Sequence, residues 1–166
     1  MKVDRVLVPL DGSTLSEVAL PTAIEALSDR PGATLILMRA TETSSLPGAD
    51  MTDAQVAAMS EAQSYLRTVA DRLREAGLSR IVTTCVWYSG AAHAIVEAAR
   101  RRRANLIVMS RRFRSSLGRM SDGAVAESVV RRAPTPVLLV APTGNTELLA
   151  SPHDMHSEPL PHAVNA

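Results

Sequence analysis

Val6-Leu7-Val8-Pro9-Leu10-Asp11-Gly12-Ser13 joins a short run of branched apolar residues to a turn made of aspartate, glycine and serine. A run of this kind, with little polar alternation, reads as a strand buried on both faces, the pattern of a parallel sheet. Four further runs repeat it: Leu35-Ile36-Leu37-Met38, Ile81-Val82 with Val86, Leu106-Ile107-Val108-Met109 and Val137-Leu138-Leu139-Val140. Five buried strands are expected.

Between each pair of runs lies a segment with helical periodicity. Leu15, Val18, Ala19, Thr22 and Ala26 form the first stripe, opened by a capping box of Thr14 and Glu17, with Pro21 set to kink the helix or to mark a later start. Thr52 and Gln55 repeat that spacing ahead of a long stripe through Val56, Met59, Gln63, Leu66, Val69 and Leu73, and Gly77 supplies the stop. A third helix starts near Gly90, carries Ile95, Val96 and Ala99, and ends in Arg100 to Arg103, where positive charge suits the C-terminal end of the dipole. The fourth starts near Asp122, carries Val125, Val129 and Val130, and stops before Pro134.

This alternation predicts a doubly wound α/β domain, a five-stranded parallel sheet with helices on both faces. Ligands of such sheets bind outside the carboxyl ends of the strands, where the strand order reverses. Thr41 to Asp50 reads as a long Ser/Thr/Pro/Gly loop, and Pro142 to Ala166 as an aperiodic mobile tail containing prolines and histidines. The folded unit is expected over residues 1–141, with the tail over 142–166.

The chain has 166 residues, 46% of them hydrophobic and only 2% aromatic, which suits one packed domain and excludes a wholly disordered chain. Its formal net charge of +1 argues against a protein whose main business is coating nucleic acid or anionic lipid. One cysteine, Cys85, makes no internal disulfide and no thiolate zinc site, so a reducing compartment, the cytoplasm, is expected. Neither a signal peptide nor a membrane-spanning stretch is read from the sequence.

Asp11 ends the first strand, and two readings stand side by side. Its carboxylate is placed to accept hydrogen bonds from a ligand hydroxyl or amine, or it simply caps the following turn or helix. The fourth strand leads into Ser110-Arg111-Arg112-Phe113-Arg114-Ser115-Ser116-Leu117-Gly118-Arg119, and Gly123-Ala124-Val125 opens the last helix.

With these residues in view, the sequence resembles the universal stress protein family. Val6 to Ser13 matches that family's opening strand and loop. Gly123-Ala124-Val125-Ala126-Glu127, through Ala133-Pro134-Thr135-Pro136 to Val137-Leu138-Leu139-Val140, matches its closing helix and strand. The similarity spans residues 3–141 and implies a Rossmann-like, adenine-nucleotide-binding fold. ATP-binding members wrap the phosphates with a glycine, two residues, a second glycine, nine residues, then glycine and a hydroxyl residue. Here the spacing is kept, but Ser110 and Phe113 occupy the first two positions, Gly123 is retained, and Ala124 replaces the hydroxyl.

The resemblance implies a site of Pro9, Leu10, Asp11, Ala40, Met109, Ser110, Arg112, Arg114, Gly123, Ala124 and Val125. Asp11 would take the nucleoside end of ATP or AMP, and the residues around Gly123 the phosphates. Residues 100 to 132 hold ten arginines against two acids, Asp122 and Glu127. Guanidinium forks at Arg112 and Arg114 would take over part of the lost phosphate contacts, while the arginines at the helix ends read equally as a solvated surface. A nucleic-acid site is disfavoured because Phe113 is the only aromatic in that region.

Other constellations fail. His93 is the only histidine of the folded unit, and there is no nucleophile elbow, Walker lysine loop or dinucleotide fingerprint. Trp87-Tyr88 stand where a phospho-accepting receiver would need an aspartate, and His153, His156 and His162 lack a frame for a metal. The expectation is a stress-response regulatory or protective protein with weak or altered nucleotide binding and at most slow ATP hydrolysis. A homodimer is expected through the edge of the fifth strand, as in the family. The alternative is a dimeric interaction protein of that family that binds no nucleotide.

Overall fold

The protein, described from a computed structural model, is placed at residues 3–28, 32–41, 51–78, 81–111, 123–141 and 146–149. Its elements are β1 (Arg5–Pro9), α1 (Thr14–Glu17), α2 (Ala19–Ala26), β2 (Thr34–Thr41), α3 (Met51–Glu75), β3 (Ile81–Tyr88), α4 (Ala91–Arg102), β4 (Leu106–Ser110), α5 (Ala124–Arg132), β5 (Val137–Val140) and β6 (Thr146–Leu149). The apolar runs become strands because side chains alternate across a sheet covered twice. Val6 and Val8 pack with Leu35, Leu37, Leu66 and Val69 under α2 and α3. Leu7, between them, packs with Ile36, Ile95, Ile107 and Val129 under α4 and α5.

Strand order is β3-β2-β1-β4-β5-β6, with β1 to β5 parallel and β6 antiparallel to β5. The expectation of five strands, with β5 as an open edge, is therefore corrected. Edge N–H and C=O groups of an apolar strand are satisfied when the chain turns back and pairs with them. Four residues of β6 are too few to show periodicity, which is why the segment from 142 onward reads as aperiodic. The expected loop and tail over 42–50, 142–145 and 150–166 lie outside the described residues.

The first helical segment divides into α1 and α2 at Val18, and Pro21 sits in the first turn of α2, where its missing N–H removes no helical bond. The expected capping box is also corrected. Ser13 is the N-cap, its Oγ accepting from the Ser16 N–H at 3.2 Å. Glu17 instead accepts from the Tyr65 hydroxyl at 2.8 Å and pairs with Arg72, fastening α1 to α3.

In α3 the buried stripe is Ala62, Leu66, Val69 and Ala70, so Gln63 gives way to Ala62. Val56 is 62% exposed and Met59 37%, and among the described residues of this first half of the helix none ahead of Ala62 is buried. The stop at Gly77 is as expected: φ is +87°, Gly77 N–H donates to Arg74 and Leu78 N–H to Leu73, the bond pattern of a Schellman motif.

Helix α4 ends the same way without a glycine. Arg103 takes φ +53°, and Ala104 N–H donates to the Ala99 carbonyl at 2.9 Å. A left-handed conformation is disfavoured for an L-residue by about 1–2 kcal/mol, partly offset in a comparison with glycine by glycine's larger unfolded-state entropy. Arg103→Gly is expected to stabilise the protein by about 0.5–1 kcal/mol, read as a higher urea midpoint at unchanged slope.

Candidate functional site

The two ladders that flank β1 are unequal. Between β1 and β2 the register runs from Arg5↔Thr34 to Pro9↔Met38, and Leu10 N–H continues it to the Met38 carbonyl at 2.7 Å. Between β1 and β4 it holds only Val6↔Leu106 and Leu7↔Ile107. On its other side β4 stays paired with β5 as far as Ser110↔Val140, and Arg111 N–H reaches the Val140 carbonyl. Strands β1 and β4 thus part company toward their carboxyl ends, each following its outer neighbour.

The amino ends are closed. Asn105 Oδ1 accepts from the N–H groups of Asp4 and Arg5, at 3.3 and 3.1 Å, and its amide donates to Asp4 Oδ1 at 2.7 Å. A crevice closed below and open above results, and it lies where the strand order reverses.

Pro9, Leu10 and Asp11 form one lip. Leu10 is fully buried, while Asp11 is half-buried at the surface of the turn. Asp11 Oδ1 accepts from Ser13 N–H at 2.8 Å and from Ser13 Oγ at 2.5 Å, and Asp11 N–H donates to Ser16 Oγ at 3.2 Å. The capping reading of Asp11 is thus realised within its own turn. The same bonds fix the direction of the carboxylate at the mouth of the crevice.

Gly12, in this turn, has φ +88°, and a Cβ there would meet the Arg39 guanidinium at 3.3 Å. Arg39 is held by Glu61 at 3.1 Å and lies over the Tyr65 ring at 5.2 Å. It was not among the expected site residues, although one signal pointed to it: a single charge interrupts the apolar run just before Ala40. Ala40 itself is buried with Met109 in the core beneath α4 and α5.

Met109 and Ser110 end the other lip, both fully buried. Ser110 stands in β4 and has no positive φ, so serine at this glycine position carries no left-handed strain. Gly123 does require glycine: it caps α5 at φ +79°, with open space where a Cβ would go. Ala124 is exposed at the first turn, and Val125 turns into the core. Arg112, Phe113 and Arg114 lie outside the described residues.

The helix-end arginines behave as a solvated surface. Arg100 pairs with Glu97 at 3.3 Å, Arg131 with Glu127 at 2.8 Å, and Arg132 donates to the Ser128 carbonyl. With His93 they line a groove of about 560 Å³ between α4 and α5, on the outer side of that helical layer. Among the described residues no group of His, Cys, Asp and Glu is arranged to hold a metal, and no helix is long and apolar enough to cross a membrane.

The model of the universal stress protein family matches residues 2–141. The chain belongs to the universal stress protein family. A universal stress protein crystallised with cAMP is 28% identical, with a TM-score of 0.61, covering 82% of this chain and 96% of that one. A family member from Burkholderia pseudomallei is 27% identical with a TM-score of 0.62, covering 82% and 95%. An Arabidopsis thaliana member with AMP bound, 17% identical over 82% and 90% of the chains at a TM-score of 0.60, shares the fold. No curated protein gives a significant match. Universal stress proteins thus account for the α/β sheet described above.

Two outcomes follow from the β1 turn. Gly12→Ala is expected to lose about 1–2 kcal/mol in urea denaturation because of its positive φ, and to lose nearly as much in an Arg39→Ala background, since the end of an arginine side chain gives way easily. Burial, followed by the hydrogen bond to Glu17, raises the pKa of Tyr65 well above the ordinary tyrosine range. The unfolded chain therefore releases this proton first, so stability is expected to fall as pH rises past about 10. In a spectrophotometric alkaline titration, Tyr65→Phe should delete the tyrosine that ionises late.

Proposed function

We propose that this universal stress protein is a cytoplasmic regulatory or protective protein of the stress response that binds an adenine nucleotide, ATP or AMP, through weakened phosphate contacts. The reading is carried by the crevice between β1 and β4, with the fixed Asp11 carboxylate on one lip and Gly123, at the head of α5, opening off the other. It is supported by the 28%-identical relative crystallised with cAMP. Asp11 accepts from the hydroxyl or amine groups of the nucleoside. Pro9, Leu10, Ala40 and Met109 supply an apolar wall, and Ser110 ends it.

The N–H groups of Gly123, Ala124 and Val125 face the phosphates with the positive end of the α5 dipole behind them. Arg112 and Arg114 add positive charge in the connecting segment. A serine or threonine at 124 would contribute one more hydrogen bond to a charged oxygen, worth about 1.5–3 kcal/mol, or roughly 10- to 150-fold in affinity. Its absence is what weakens the site. Hydrolysis is at most slow, because Asp11 is committed to the turn and to the nucleoside end and no other general base stands at the crevice among the described residues.

A second reading, an interaction protein of the family without a nucleotide, is favoured by one observation only: two Ser13 donors already occupy Asp11 Oδ1. Calorimetry separates the two. ATP and AMP are expected to bind the wild type weakly, Ala124→Ser to bind at least tenfold tighter, and Asp11→Asn, which keeps the acceptor for Ser13, to bind more weakly. No heat at millimolar nucleotide with either wild type or Ala124→Ser would remove the first reading and leave the second.

A further inference from the structure

Helix α4 turns a flank outward that α5 does not cover. His93, Val96, Glu97 and Arg100 recur at the spacing of a single helical face. Helix α5 ends at Arg132, because Pro134 disfavours a helical Ala133, and Ala133 leaves extended at φ −65° and ψ 138° toward β5. The last turn of α5 and this exit form the opposite wall of the groove of about 560 Å³.

The lining is of two kinds. Val96 and Ala133, 6% and 4% exposed, make an apolar floor, and Arg100, Arg131 and Arg132 stand at the surface beside it. Three arginines there face one acid, Glu97, and Arg101 to Arg103 continue the positive charge past the end of α4. A concave surface with an excess of one sign of charge draws in the opposite sign.

These arginines are held by residues of their own helices. Arg100 bonds to Glu97 at 3.3 Å and Arg131 to Glu127 at 2.8 Å, with the two arginine side chains 58% and 65% exposed. Exposed pairs at this spacing contribute little in water, and a guanidinium has donors beyond the one spent on each. An incoming carboxylate therefore finds donors to take.

We propose that the groove between α4 and α5 docks an extended acidic segment of a partner protein, its carboxylates on Arg100, Arg131 and Arg132 and an apolar side chain on Val96 and Ala133. From His93 to Arg100 is about 10 Å along the helix axis, room for about three residues of extended chain. A polyanion such as RNA fits this lining poorly. Its phosphates would meet Glu97, its backbone brings nothing apolar to the floor, and among the described lining residues there is no Phe, Tyr or Trp for a base to stack on. A peptide answers both features, since its N–H groups donate to Glu97 and its side chains mix charge with apolar surface. The proposal does not rest on nucleotide binding, because the groove lies on the outer side of the helical layer and the crevice at the carboxyl ends of the strands.

The test uses the full chain and a fluorescein-labelled peptide, Gly-Glu-Glu-Leu-Glu-Glu-Gly, read by anisotropy. A dissociation constant on the order of 10–100 μM at about 50 mM salt is expected, rising as salt is added. Arg131→Glu with Arg132→Glu, and separately Arg100→Glu, are each expected to weaken binding at least tenfold. Arg74→Glu, an equal charge change on α3 across the sheet, is expected to leave it within about twofold, since a distant exposed charge is screened. No binding at millimolar peptide, an equal loss in Arg74→Glu, or an oligouridylate of similar length that binds more tightly than the peptide overturns the proposal.

Should the charge reversals unfold the protein, the wild type carries the test. Amide chemical-shift changes on adding the peptide are expected along α4 and at residues 131–133. Changes confined to the β1 turn, or spread evenly over the exposed arginines of both helical layers, overturn it.

Discussion

The structure depends on the unequal pairing of β1. Its two faces are buried in separate cores, its bond ladder to β2 runs the whole strand, and its ladder to β4 stops after Leu7 and Ile107. Asn105 closes the amino end by bonding to Asp4 and Arg5. A sheet held this way has one direction in which it can open. The strands part where they carry no shared bonds, and the space they leave lies between the β1 turn and the carboxyl end of β4.

That constraint explains why the residues around the crevice are so differently treated. Leu10, Met109 and Ser110 are fully buried because they still belong to strands or their direct continuation. On the β1 side, Asp11 is the first charged residue past Leu10. A charged group there would be mobile on a simple coil, but the Ser13 donors and the Ser16 hydroxyl hold it in a tight turn. Behind the turn, Arg39 lies close to Gly12 and is itself fixed by Glu61 and by the Tyr65 ring. Tyr65 connects this support to Glu17, so α1, α3 and the end of β2 all bear on one short loop.

Much of this was legible in the sequence, and the parts that were not have physical reasons. Strands β1, β2, β4 and β5 declared themselves because burial on both faces leaves runs of apolar, mostly branched residues, and β3 was read from a similar run. The long α3 was legible from its period, yet its first half was misassigned to the core, since periodicity reports which residues share a face and not whether anything packs against it. Val56 and Met59 share the stripe of Leu66 and remain exposed. The N-cap moved from Thr14 to Ser13 because adjacent hydroxyl residues both fit the capping pattern, and Tyr65, distant in sequence, claims Glu17. Strand β6 was missed because a four-residue pairing is decided by the edge that receives it. Arg39 was missed because its role comes from the close approach of Gly12, which only the fold brings about.

The glycine pattern after β4 shows most clearly how geometry changes a reading of sequence. Counted as letters, three of four family positions are lost, and each loss weighs equally. In the structure they do not. Ser110 completes β4 with ordinary strand geometry, so a side chain there strains nothing in the backbone. Gly123 holds a left-handed cap in which any other residue would be disfavoured, and it is the glycine that is kept. At these two described positions, backbone need and glycine identity agree. The change at 124 is of another kind: alanine fits the first turn of α5 as well as serine does, but brings no hydroxyl. The start of α5 therefore has the shape of an ordinary helix N-terminus with one hydroxyl donor fewer than serine or threonine would bring.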